Sequence, residues 1–193
     1  MAITEEHFKK IVDKLVILKD TSELMIDLAY SSLILNSQAL AEEVEALENY
    51  IDDGYTDYER LVLSSGFTPR ESKDFLGLMR LGVITEEIAD AAMEIADVVL
   101  KGLDPHPILK LVIEEAEETV TKVTVAEKST LVGKTIREAQ LQEKTGMWIL
   151  VIRRGEWWLR PRPGTTIKEG DVLIASGYAE GEADFETLAS GIE

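Results

Sequence analysis

The sequence predicts an α+β protein in two parts: an N-terminal antiparallel helical bundle over residues 1–118 and a small α+β domain over residues 119–193. Three observations predict it. Apolar residues recur at helical spacing up to about residue 118 and at strand spacing afterwards. Charge changes at the same place: residues 1–118 hold ten Lys/Arg against 26 Asp/Glu, a balance of −16, while residues 119–193 hold ten against eleven, a balance of −1. Nine of those last ten cations fall between Lys128 and Lys168 with only three Glu, a cationic island in a chain of net charge −17. Such an island fits a small anionic ligand.

The elements follow in order. Residues 4–19 read as a short helix with Ile11, Leu15 and Leu18 on one side. Thr21 or Ser22 caps a second helix that runs to Asp53, where Gly54 ends it. Within it Ile26, Leu33, Leu40 and Leu47 recur every seven residues. Residues 55–65 form a shorter helix. Thr68, Pro69 and Glu71 carry the start signature of the next one, which Gly102 stops. Its inward stripe is Leu78, Thr85, Ala92 and Val99 together with Leu81, Ile88 and Ile95. Asp104-Pro105 opens a further helix to about residue 118. Long helices joined by short turns make an antiparallel bundle.

From Thr119 the alternation T-V-T-K-V-T-V predicts a strand rich in β-branched residues. Residues 135–144 predict a helix, residues 148–153, 156–160 and 172–176 strands, and residues 181–190 a last helix. Gly133 permits a strand-to-helix turn, Gly146 a helix end, and Gly170-Asp171 a turn before a buried strand. Trp148, Trp157 and Trp158 are expected as core or dimer contacts.

Several function classes are excluded or disfavoured. The net charge of −17 repels phosphate backbones, so no nucleic-acid partner is expected. No cysteine means no thiolate chemistry. His7 and His106 have no neighbour at metal-ligand spacing, and no catalytic constellation appears, so the chain is not expected to be an enzyme. The longest uncharged run, residues 28–41, is too short and polar to span a bilayer. A cytoplasmic protein without direct membrane insertion is expected.

One acidic pattern carries possible metal chemistry. Glu86, Asp90 and Glu94 are spaced i, i+4, i+8 on one helix face, and Glu48 and Asp52 repeat the i, i+4 pair earlier. Oxygen-rich ladders of this kind can hold a divalent metal. A solvated helix face has the same pattern.

The order S-x-L-V-G-K-T-I-R-E-A, T-G-M-W-I-L-V-I-R-R-G and P-x-P-G-T-T-I-K-E-G-D-V-L-I-A-S-G, over about residues 119–178, resembles the RCK C-terminal domain, also called TrkA-C. The resemblance implies a homodimeric or higher homo-oligomeric regulatory sensor of potassium and other cation transport, attached to a membrane cation transporter or channel. It also implies that a cyclic dinucleotide can bind between paired domains. By that analogy Ile136, Arg137, Ala139, Gln140, Ile149 and Arg153 form the ligand site. Arg137 would face phosphate and Ile136, Ala139 and Ile149 would offer apolar walls, with Arg154, Arg160 and Arg162 adding positive field. The G-x-G-x-x-G of a dinucleotide-binding half is absent from this sequence, so NAD or ATP binding of that kind is not expected. Residues 20–102 resemble a single copy of the PhoU helical bundle, whose E-x-x-x-D motif Glu86 and Asp90 match while Glu94 stands where Asn is usual. That resemblance implies an alternative function, metal-dependent regulation of phosphate transport.

Overall fold

The computed structural model describes residues 4–66, 68–69, 71–103, 118–155 and 157–191. The chain divides into two compact units, Met1–Leu103 and Asp104–Glu193. The helix expected over residues 104–118, and with it His106, falls almost wholly outside the described residues; Glu118 itself begins a strand.

The first unit is three helices, α1 (Glu5–Ile34), α2 (Gln38–Leu63) and α3 (Ser72–Leu100), each packed on the other two. Where the helices break departs from the sequence expectation. Thr21 and Ser22 cap nothing: Thr21 Oγ1 donates to the Ile17 carbonyl and Ser22 Oγ to the Lys19 carbonyl, so α1 runs straight through. Hydroxyls that bond back one turn compete for the cap role without ending a helix. The break comes instead at Asn36, in the left-handed region (φ 44°), followed by extended Ser37.

Gly54 does not end a helix either. It is buried in the middle of α2, where an added Cβ would lie 3.0 Å from Leu18 Cδ2. Gly82 plays the same part where α3 crosses α2, since a Cβ there would lie 2.6 Å from Tyr58 Cε1. Tyr58 is fully buried and its hydroxyl donates to the Leu78 carbonyl at 2.8 Å. Glycine at these crossings lets the helix backbones approach.

The inward face of α3 is Phe75, Gly82, Thr85, Ala89, Ala92, Ala96 and Val99. Leu81 (51% exposed) and Ile88 (36%) are not core residues, contrary to the expected stripe. They stand on the flank of α3, where the described bundle supplies no neighbour to cover them.

The second unit is a four-stranded antiparallel sheet in the order β1-β4-β2-β3: β1 (Glu118–Thr124), β2 (Met147–Arg154), β3 (Trp157–Leu159) and β4 (Val172–Tyr178). Two short helices, α4 (Ile136–Ala139) and α5 (Leu141–Thr145), lie between β1 and β2. A 3-10 turn (Ala179–Gly181) and α6 (Glu182–Ser190) follow β4. Register sets Thr121, Ala175 and Ile149 side by side, and Val123, Leu173 and Ile152 next to them. The pairing shifts between Ile149 and Val151, so both Ile149 and Ile152 reach one core with Leu131, Met147, Leu173 and Phe185.

Candidate ligand-binding site

The predicted helix over residues 135–144 is two helices, and the joint between them shapes the site. Thr135 and Glu138 form a capping box: Thr135 Oγ1 accepts from the Glu138 amide at 3.2 Å, and the Glu138 carboxylate accepts from the Thr135 amide at 2.9 Å. The Thr135 amide, and the Thr135 hydroxyl that donates to the same carboxylate at 2.8 Å, hold the Glu138 carboxyl below the usual carboxylate range. Gln140 then adopts the left-handed conformation (φ 50°, ψ 43°), which costs a non-glycine residue roughly 1–2 kcal/mol. Lys144 Nζ donates to the Ala139 carbonyl that this turn leaves open, at 2.7 Å.

Opposite the joint runs the segment Pro161-Arg162-Pro163. It is tied to α4 through the backbone: the Arg137 amide donates to the Pro163 carbonyl at 3.1 Å and the Ile136 amide to the Thr165 carbonyl at 2.9 Å. Between these walls lies an open groove of about 340 Å³. Its apolar surface comes from Ile136, Leu141, Met147, Trp148 and Ile149; Arg137, Arg162, Gln140 and Glu143 supply polar groups. The volume is at the small end of the range for cofactor-sized sites.

Of the six residues expected at a ligand, Ile136, Arg137, Gln140 and Ile149 line this one groove. Ala139 is fully buried in the core beneath it. Arg153 does not line it: its Nε donates to the Gly155 carbonyl at 3.0 Å and its guanidinium lies 5.8 Å from the centre of the Trp158 ring. Arg154 is a fastening residue. Its Nε and Nη2 each donate at 2.8 Å to the two carboxylate oxygens of Asp171, which is 1% exposed. Of the tryptophans expected as core or dimer contacts, Trp148 and Trp157 are not core: Trp157 is exposed, and Trp148 lines the groove. Arg162, expected from the sequence only to add positive field, is itself a lining residue. The two prolines that bracket it were the available signal, because they fix the wall on which it stands.

The acidic residues singled out in sequence lie on the bundle. Glu48 and Asp52 of α2 approach Glu86 and Asp90 of α3, whereas no interaction with Glu94 enters this group. Burial pushes the Glu48 carboxyl up to about 7, and a hydrogen bond to Asp90 and the charges of Asp52, Asp90 and Glu86 push the same way. Burial, and then the charges of Asp90, Asp52, Glu87 and Glu59, raise Glu86. One Glu48 oxygen, Oε2, is buried without a hydrogen-bond partner. Among the described residues no group of three or more His, Cys, Asp or Glu is arranged to hold a metal ion.

Among the described residues no helix is long and apolar enough to cross a membrane. Comparison with known proteins divides the chain as the structure does. Residues 15–99 match the PhoU domain and residues 120–190 match the TrkA-C domain. Over 76 residues the chain is 32% identical to an uncharacterized transporter of Synechocystis sp., covering 39% of this chain and 12% of that protein. Over 102 residues it is 30% identical to potassium channel protein 1 of Methanocaldococcus jannaschii, covering 52% of this chain and 30% of that protein. The chain thus spans less than a third of the length of these relatives. Among solved structures, the RCK_C domain dimer of Streptococcus agalactiae BusR in complex with c-di-AMP is 27% identical, covering 36% of this chain and 92% of that one, with a TM-score of 0.34. This chain therefore joins a PhoU domain, the three-helix unit, to a TrkA-C domain, the sheet unit that carries the groove.

Proposed function

We propose that this protein is a non-catalytic regulator of cation transport, potassium above all, whose TrkA-C domain binds a cyclic dinucleotide where two copies of the domain meet. The observation that carries the reading is the groove, in which Ile136, Arg137, Gln140 and Ile149 come together from two separate stretches of sequence. Its chemistry suits such a ligand. Trp148, Ile136 and Ile149 offer flat and apolar surface to a purine, as aromatic faces do for bases. Arg137 offers a guanidinium fork to phosphate, and Arg162 in the lining adds positive charge. A cyclic dinucleotide has two equivalent halves, and a two-fold contact presents the same groove twice, one to each half. The TrkA-C match and the transporter and potassium-channel names of the relatives support the transport setting.

Regulation follows if the ligand favours one arrangement of the paired domains over another, since a ligand shifts an equilibrium only by its differential affinity. A thermal-shift screen of the intact chain against cyclic dinucleotides, mononucleotides and divalent metals tests the reading. A ligand that binds the native state raises Tm by mass action. The reading expects a rise with a cyclic dinucleotide that Arg137→Ala abolishes. A rise with a divalent metal alone, or with nothing, refutes it.

A further inference from the structure

Helix α3 carries a stripe that nothing in the described bundle covers. At about 100° per residue, Gly77, Leu81, Ile84, Ile88, Ala91 and Ile95 fall within roughly 80° of arc. Leu81, Ile84 and Ile88 are exposed, and Ile84 is 51% so. No charged residue interrupts this arc between Gly77 and Ile95, although the bundle is strongly acidic. Glu86, Asp90, Glu94 and Asp97 fall outside the stripe, and Glu87 borders it on the same flank as Arg80. Charge has been kept off the stripe itself, and large apolar side chains stand there in water.

We infer that this flank of α3 is a two-fold contact between the PhoU domains of two copies of this chain, the two α3 helices packing antiparallel about Ile84. Three features favour a second copy over another occupant. The stripe is neutral, so two chains of net charge −17 can meet there without like charges facing. A basic amphipathic partner would need acids along the stripe, and there are none. The register is also self-complementary. An antiparallel pair centred on Ile84 sets Gly77 of one copy opposite Ala91 of the other, seven residues away on each side, so small residues meet where the helices come close. An added Cβ at Gly77 meets nothing within 4 Å, so packing inside the chain does not account for a glycine there. The same register brings the exposed Arg80 of each copy within one residue of the exposed Glu87 of the other. Beside the stripe, Val12, Leu15, Leu78 and Leu81 line a groove of about 310 Å³ between α1 and α3, into which side chains of the second copy can settle. This contact is separate from the TrkA-C dimer proposed above, and its test does not depend on any ligand.

The chain has no cysteine, so single-cysteine cross-linking reads the contact without background. Ile84→Cys in the intact chain, oxidised with copper phenanthroline, is expected to form a disulfide-linked dimer nearly completely. Glu45→Cys, exposed on α2, experiences the same tethering through the TrkA-C domain and is expected to cross-link little. Adding Arg80→Glu to Ile84→Cys is expected to cut the yield several-fold, and adding Glu87→Arg as well to restore it. A yield at Ile84→Cys no higher than at Glu45→Cys overturns the inference, as does one indifferent to Arg80→Glu. If the cysteine is instead shielded from maleimide without cross-linking, something other than a second copy covers the stripe and the inference fails.

Discussion

Replacing Glu48 by Gln should stabilise the protein above neutral pH and flatten its stability between pH 5 and 8. The Glu48 carboxyl is raised from 4.5 to about 7 by burial first and then by Asp90, Asp52 and Glu86. A folded-state value above the unfolded one means that the native state binds the proton more tightly. The Glu48 contribution to native stability is therefore most favourable below about pH 4.5, falls as pH rises toward 7, and carries the full cost of the ionised group above that. At about 1.4 kcal/mol per tenfold, the rise amounts to roughly 3 kcal/mol. Glu48 is only partly buried, so screening by water reduces this to about 1–2 kcal/mol. Glutamine keeps the shape and cannot ionise. Urea denaturation of wild type and Glu48→Gln across pH 5–8.5 reads the difference, which should be near zero at pH 5 and reach about 1–2 kcal/mol in favour of the variant at pH 8. Parallel pH curves, or a variant less stable at pH 8, would refute the reasoning.

Two further substitutions test the packing of each unit. Asp171→Ala removes the carboxylate that takes both Arg154 donors and the Lys168 amide, and should destabilise the TrkA-C unit by about 2–4 kcal/mol in a thermal or urea melt. The value stays below that for a wholly buried pair because Arg154 retains 30% of its side-chain exposure. Gly82→Ala forces a methyl to within 2.6 Å of Tyr58 and should cost about 1–3 kcal/mol, read as a lower urea midpoint for the helical unit.

The sequence carried the two-part organisation because periodicity and charge both change near residue 118. It also carried the strands and the helix start at Thr135, where alternation and the capping pair are local signals. Helix breaks were poorly legible. Thr21, Ser22 and Gly54 look like punctuation, and only tertiary packing shows that the hydroxyls bond backward and that the glycine makes room for Leu18. Leu81 and Ile88 carry core chemistry without core burial, because periodicity reports that a face wants a partner and not which molecule supplies it. Within the groove, Ile136 and Arg137 were legible from the motif that precedes β2. Arg153 and Arg154 were indistinguishable from Arg162 as charges. Register decides between them: it turns Arg154 onto Asp171 and Arg153 toward Gly155, while two prolines hold Arg162 at the groove.

Calorimetric titration of the intact chain with c-di-AMP tests the central claim most directly, because it returns stoichiometry as well as affinity. A ligand shared by two grooves binds once per two chains, and Arg137→Ala in a normally folded protein removes the binding. Binding at one ligand per chain, binding unaffected by Arg137→Ala, or no heat at all would contradict the account.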